Sequence, residues 1–150
     1  YNVGTGIVLD TLRNARSVNR FVVMVQKEVG ERFLAGPGSK VYGVPSVIVG
    51  LHADGRIARR VPRHVFEPAP SVDSVVVVLD RVEAPAEAER AILLAQAGFG
   101  QRRKMLRRSL ATAVDDPNAM LDAAGIDGTR RAEELTPSDY VDLARQGGWE

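Results

Sequence analysis

The sequence predicts an α/β fold, the second half of an α/β sheet ending in an antiparallel pair and followed by a small all-helical domain, and three observations carry that prediction. Short β-branched runs alternate with stretches of helical periodicity over residues 1–82. From Ala84-Pro85-Ala86 onward the composition turns to alanine, leucine and charge. A hydrophobic content of 45% in 150 residues is enough for one sizeable core or two small ones.

Ile7, Val8, Leu9 and Leu12 follow helical spacing directly after the first residues, and a chain opening on Tyr1-Asn2 without methionine is expected to be cut rather than to start there. Phe21 to Val25 is a continuous apolar run that fits a strand buried on both faces of a parallel sheet, with a buried helix segment as the alternative. Gln26 to Ala35 returns to helical spacing, and Gly36-Pro37-Gly38 ends it. Ser46 to Leu51 is expected to be a strand, Ala53-Asp54-Gly55 a turn leading to Arg56–Val61, and Ser74 to Leu79 the clearest strand of all. Between them, Val65 to Pro70 carries two prolines and must be an irregular loop. An antiparallel pair is expected to close this sheet. Beyond a linker at Val82–Pro85, helical spacing recurs in Glu87–Gly98, Gln101–Val114 and Met120–Ala124. Thr136-Pro137 supplies an N-cap and a first-turn proline for a last helix. The expected domains are therefore residues 1–82 and 85–150.

The composition excludes several kinds of chemistry. There is no cysteine, so disulfides, thiolate metal sites and cysteine nucleophiles are absent together, as suits a reducing cytoplasm. No apolar run approaches the roughly 20 residues that span a bilayer, and the first residues carry no secretory pattern. A cytoplasmic protein without membrane attachment is expected. His52 and His64 stand apart from other metal-ligating residues and are expected at the surface, and no metal is expected. Lys27 with Glu31, and Glu28 with Arg32, have the four-residue spacing of helical ion pairs. Asp73 and Ser74 are expected to shape a loop and begin the strand that follows.

The net charge of +1 hides an uneven distribution. Arg56, Arg59, Arg60 and Arg63 fall close together, and Arg102, Arg103, Lys104, Arg107 and Arg108 form a second cluster. On a helix Met105 and Leu106 would face a core, with the cations on adjoining outer faces. Such a face is either merely solvated or a contact surface for nucleic-acid phosphates, whose binding would be strongly salt-dependent.

Four stretches then occur in a telling order: Tyr1-Asn2 before an apolar helix, Met24-Val25-Gln26-Lys27-Glu28-Val29-Gly30-Glu31-Arg32, Pro37-Gly38-Ser39-Lys40-Val41-Tyr42-Gly43, and Phe66-Glu67-Pro68-Ala69-Pro70-Ser71-Val72-Asp73-Ser74. Together they resemble consecutive landmarks of the rRNA adenine dimethyltransferases. Phe99-Gly100-Gln101-Arg102-Arg103-Lys104-Met105-Leu106 and Arg131-Ala132-Glu133-Glu134-Leu135-Thr136 resemble the C-terminal domain of the housekeeping branch that modifies small-subunit rRNA.

The resemblance implies the second half of a Rossmann-like, S-adenosylmethionine-dependent methyltransferase domain followed by a small all-helical domain that contacts rRNA. It implies methyl transfer to exocyclic amines of adenines in small-subunit rRNA during ribosome assembly, two methyls per base. Of the family's Asn-Leu-Pro-Tyr motif only the final tyrosine, Tyr1, is present, so the chain by itself is expected to be inactive. The donor-binding glycine-rich turn belongs to the family's first half, and no residue of this chain is expected to bind the cofactor. Tyr1 and Phe66 are implied as the two aromatic walls around a flipped adenine; considered alone, each would more ordinarily be a packing residue. Arg102, Arg103, Lys104, Arg107 and Arg108, extended by Arg59 and Arg60, are implied as the rRNA contacts. Other possibilities are a large-subunit rRNA methyltransferase of the macrolide-resistance type, a non-catalytic RNA-binding or ribosome-assembly module, and a transcription-factor relative with the same fold.

Overall fold

The valine-rich segment Ser74–Arg81 lies at the centre of the sheet, where strong β-formers are needed on both faces. The computed structural model describes residues 2–147. In chain order the first elements are α1 (Asn2–Asn14), β1 (Arg20–Gln26), α2 (Lys27–Leu34), α3 (Val44–His52), β2 (Ala53–Val61) and β3 (Ser74–Arg81). The sheet order is β1-β3-β2, and β3 runs antiparallel to both neighbours.

The parallel, doubly buried β1 expected from the sequence is therefore corrected. β3 pairs with β1 from Arg20↔Asp80 to Gln26↔Ser74. Phe21 and Val25 face α1 and α2 together with Val75, Val77 and Leu79, whereas Val22 and Met24 on the opposite face are 64% and 45% exposed. Apolar residues on both faces conceal the period-two alternation of a strand covered on one side only.

The expected strand Ser46–Leu51 is the helix α3. Pro45 sits in its first turn with a backbone angle already suited to a helix, and the Ser46 hydroxyl accepts the Gly43 amide at 3.2 Å while donating to the Arg32 carbonyl. Val47, Ile48, Val49 and Leu51 are all buried, so α3 has no polar face and its sequence has no visible period. Nor is Ala53-Asp54-Gly55 a turn, because β2 begins at the residue after α3. Gly55 is needed inside the strand: a Cβ there would stand 2.4 Å from Leu34 and 2.8 Å from Leu79.

The helical part comprises α4 (Ala88–Gly100), α5 (Leu106–Ser109), α6 (Pro117–Ala124) and α7 (Pro137–Ala144), with 3-10 turns at Leu110–Thr112 and Ala132–Glu134. Asp116 caps α6, and α7 opens on the expected Thr136 cap, in which the Thr136 hydroxyl and the Asp139 carboxylate each accept the other's amide at 3.0 Å. The single helix expected over Gln101–Val114 does not form. The amides of Leu106 and Arg107 donate to the carbonyls of Arg130 (2.8 Å) and Gly128 (3.1 Å), so the segment is divided by a tertiary pairing. Met105, expected in the core, is exposed, while Leu106 is buried. Leu94, Leu110, Leu121, Leu135, Tyr140 and Leu143 fill this core, joined by Tyr42, Val47, Ile48 and Leu51 from the preceding part of the chain. No helix among the described residues is long and apolar enough to cross a membrane.

Arg81, at the end of β3, reaches back to α1. Its guanidinium donates to the carbonyls of Thr11 (3.1 Å), Leu12 (2.8 Å), Ala15 (2.9 Å) and Val18 (2.5 Å) and lies over the Phe21 ring. These carbonyls lie in the last turn of the helix and just beyond it, where helical donors run out, although those of Thr11 and Ala15 also accept the Ala15 and Val18 amides at 2.9 and 3.1 Å. Arg81→Met, which keeps most of the stem and removes the donors, is expected to lower the stability of the intact protein by more than about 2 kcal/mol in urea denaturation. A loss below about 0.5 kcal/mol would mean that water replaces the guanidinium without penalty.

Candidate nucleic-acid interface

Ligands of open α/β sheets gather at the ends of strands, where loops replace the continuous ladder. Here Gln26 ends β1 and the chain enters α2 at once, with the Lys27 amide donating to the Asp73 carbonyl at 2.9 Å. Lys27–Glu31 (3.8 Å) and Arg32–Glu28 (3.5 Å) form the ion pairs that their spacing predicts. Facing them is the β2–β3 loop, which runs through a 3-10 turn at Arg63–Val65, Phe66 and a cis Glu67–Pro68 bond. A cleft of about 520 Å³ lies between, lined by Gln26, Lys27, Glu28, Glu31, Arg63 and the Ser71–Asp73 segment.

Asp73 closes this loop. Its carboxylate accepts the Arg63 amide at 2.9 Å and a guanidinium hydrogen of Arg60 at 3.5 Å, while Arg63 donates to the Ser71 carbonyl at 3.2 Å. The Arg63 amide first, and the charge of Arg60 after it, hold the Asp73 carboxyl below its ordinary pKa. Phe66 follows the turn, its amide donating to the Arg63 carbonyl at 3.3 Å, and its side chain is half-buried. Phe66 does not line the cleft beside it.

Arg59 and Arg60 are exposed on β2, on either side of the sheet as its register runs: Arg59 pairs with Val76 and Arg60 with Val75 after an irregularity that follows Ile57. Arg56 is tied to Asp80, which also accepts from Arg20 at 2.6 Å. The hydrogen bond from Arg20 is the main cause that holds the Asp80 carboxyl below its ordinary range.

The second cluster is a turn followed by a short helix. After α4 the Lys104 amide donates to the Gln101 carbonyl at 2.9 Å, and α5 begins at Leu106. Arg103, Lys104, Arg107 and Arg108 are exposed, and none of their side chains makes a hydrogen bond or salt bridge among the described residues. Arg102 differs: it bonds the carbonyls of Tyr42 (3.2 Å) and Lys40 (3.4 Å) and the Glu133 carboxylate (3.0 Å), and lies 5.6 Å over the Phe99 ring. His52, expected at the surface, is buried with its Nδ1 bonded to the Ile48 carbonyl at 2.8 Å, because α3 packs on all sides. His64 is exposed as expected. Among the described residues no group of three or more metal-ligating side chains converges.

A small antiparallel sheet, a proline-stiffened aromatic loop and a basic turn are thus in place, and residues 1–146 match the family model described as ribosomal RNA adenine dimethylase. The chain belongs to this family. It is 46% identical over 151 residues to ribosomal RNA small subunit methyltransferase A of Leifsonia xyli subsp. xyli, an alignment that covers 96% of this chain and 54% of that protein. A protein of the same name from Bifidobacterium longum is 41% identical over 159 residues, covering 97% and 51%. The chain spans about half the length of the curated relatives it matches. Its fold is similar to that of a dimethyladenosine transferase from Plasmodium falciparum, with a TM-score of 0.80 at 21% identity over 95% of this chain and 62% of that one. It is also similar to the 23S rRNA methyltransferase ErmE, with a TM-score of 0.67 at 22% identity over 96% and 60%. At these identities the likeness is one of fold, an α/β methyltransferase-like fold with a small sheet and helices.

In this rRNA adenine dimethylase chain the residues singled out from the sequence fall in separate places. Phe66 occupies the loop beyond β2, Arg59 and Arg60 a strand at the edge of the described sheet, and the other cations the α4–α5 turn and α5. Tyr1 lies outside the described residues. The loop-shaping role expected of Asp73 takes the form of a bond from the Arg63 amide, which the sequence does not name, and the inward course of Arg102 is not visible in the sequence. Both depend on partners distant in the sequence or hidden in the backbone.

The Asp73 contact has a definite pH dependence. Because the folded carboxyl is held below its ordinary value, its stabilising contribution is complete above the ordinary carboxylate range and is lost as pH falls through the depressed folded value. The Arg63 amide proton resonance is expected to report a transition below that ordinary value, and Asp73→Asn is expected to abolish it. A transition at or above the ordinary carboxylate value would show that the hydrogen bond does not persist in solution.

Proposed function

We propose that the protein carrying this chain transfers methyl groups from S-adenosylmethionine to exocyclic amines of adenines in small-subunit rRNA, two per base, in the cytoplasm during ribosome assembly. The observation that carries this reading is the 46% identity, over nearly the whole chain, with a ribosomal RNA small subunit methyltransferase A. We also propose that residues 1–82 form the second half of a Rossmann-like domain and residues 85–150 a helical rRNA-contacting domain, linked at Val82–Pro85. The outer edge of β1, which has no strand partner among the described residues, and the open face bearing Val22 and Met24 suit a sheet continued and covered by further polypeptide.

S-adenosylmethionine supplies an electrophilic methyl group on a sulfonium, and no residue of this chain is assigned to holding it. The chain's own part is to hold the base. Phe66 stacks on one face of a flipped adenine and Tyr1 on the other, holding the base in place, while directing the amine lone pair for in-line attack falls to the asparagine of the Asn-Leu-Pro-Tyr motif, outside this chain. When bound, the cofactor would supply the methyl group and leave as the neutral thioether, and the methylated amine would release its proton to solvent. Positioning and removal of water supply the rate, so a strongly basic side chain is not required. Arg103, Lys104, Arg107 and Arg108 are exposed cations suited to rRNA phosphates, with Arg59 and Arg60 as further contacts on the sheet.

Stacking on an aromatic side chain is worth about 1–3 kcal/mol per base. Phe66→Ala in the full-length protein is accordingly expected to slow methyl transfer to undermethylated small ribosomal subunits by about ten- to a hundredfold. Unchanged transfer would remove Phe66 from the base pocket. Retained subunit binding with no transfer by the unaltered full-length protein would favour a non-catalytic assembly module instead.

A further inference from the structure

We infer that Arg102 is a positioning residue of the rRNA-contacting turn and not one of its phosphate ligands, an inference that rests on the rRNA reading above. Among the five clustered cations it alone makes side-chain hydrogen bonds and an ion pair with the described residues. Its guanidinium joins three backbone segments: the turn it belongs to, the loop before α3 through the carbonyls of Lys40 and Tyr42, and the 3-10 turn through the Glu133 carboxylate. The same segments are joined around it. The Gly38 amide donates to the Glu133 carbonyl at 2.9 Å, the Tyr42 hydroxyl donates to the Leu135 carbonyl at 2.6 Å, and the Tyr42 and Phe99 rings meet edge-on at 5.8 Å.

A phosphate could take Arg102 only by drawing it from Glu133 and two carbonyls, leaving a half-buried carboxylate and two acceptors without their donor. Arg103 and Lys104, one and two residues on, are exposed and carry no such attachment. With Arg102 fixed from beneath, the turn holds those two cations outward. The planar fork matters more than the charge, since one lysine ammonium cannot reproduce two carbonyl contacts and a carboxylate contact with the same geometry.

The test measures binding of the intact protein to a small-subunit rRNA fragment across a series of salt concentrations. Each phosphate contact removed lowers the slope of log affinity against log salt by about 0.7–0.9. Arg103→Ala and Lys104→Ala are each expected to flatten the slope by that amount. Arg102→Lys and Glu133→Gln are expected to weaken binding about three- to tenfold with the slope unchanged, and to speed amide exchange in both 36–43 and 101–104. Three results would overturn the inference: a flatter slope in Arg102→Ala matching that of Arg103→Ala, full rescue by Arg102→Lys, or tighter binding in Glu133→Gln. If Arg103→Ala and Lys104→Ala leave the slope untouched, the turn is not an rRNA contact, and amide exchange still decides the anchor: unchanged exchange in Arg102→Lys refutes it.

Discussion

α3 has to serve two cores at once. Val49 packs with the sheet and with α1, while Val47, Ile48 and Leu51 enter the core of α4 to α7. A nine-residue helix with an outward polar face could not do both, so the segment is apolar all round and its polar groups are confined to its ends, Ser46 and His52. Gly50 lets α7 come close: a Cβ there would stand 2.8 Å from Pro137. The placement of the basic turn relative to the sheet follows from this helix, because α4 packs on α3 and the turn continues from the end of α4.

Two devices then hold the functional segments in place, and both are electrostatic contacts laid on backbone geometry. Asp73 gathers the β2–β3 loop onto the end of β1 through an amide acceptor and a carbonyl that receives Lys27. Prolines at 62, 68 and 70 remove conformational freedom from the same loop, so an aromatic residue within it loses little entropy on meeting a base. On the helical side Tyr42 and Tyr140 donate to the carbonyls of Leu135 and Ala132, and burial above all pushes both hydroxyls far above their usual range. They remain donors at any physiological pH, fixing the 3-10 turn that presents Glu133 to Arg102.

How much of this the sequence reveals depends on whether a residue's partners are near it in the chain. β3 stands out because a central strand repeats β-branched residues regardless of face, and α7 because Thr136, Pro137 and Asp139 make a local cap. The ion pairs of α2 are local as well. α3 and β1 are obscured for opposite reasons, the first having no polar face and the second having apolar residues on its open one. The break after Gln101 is invisible because pairing with residues 128–130 causes it, and Gly128 eases that approach by lacking a Cβ that would stand 3.2 Å from Leu121 and 3.3 Å from Arg107. Arg102 resembles its basic neighbours in sequence, yet its acceptors are 31 to 62 residues away. The Phe66 loop is legible in outline from its prolines and from Asp73 as a loop-shaping residue; the partners of Asp73, the Arg63 amide and Arg60, are not.

The central position of β3 has a consequence for biosynthesis. β1 and β2 have no sheet partner but β3 among the described residues, and the end of α1 is bound by Arg81 at the end of β3. As the chain leaves the ribosome, β1 and β2 each lack the partner that β3 will give them until residue 74 and those after it are made. The sheet can close only when its last strand emerges, and that strand enters between two others already made. The apolar strand β1 thus waits for its β3 partner through some 50 residues of synthesis, a span set by topology and one in which chaperone contact would count most.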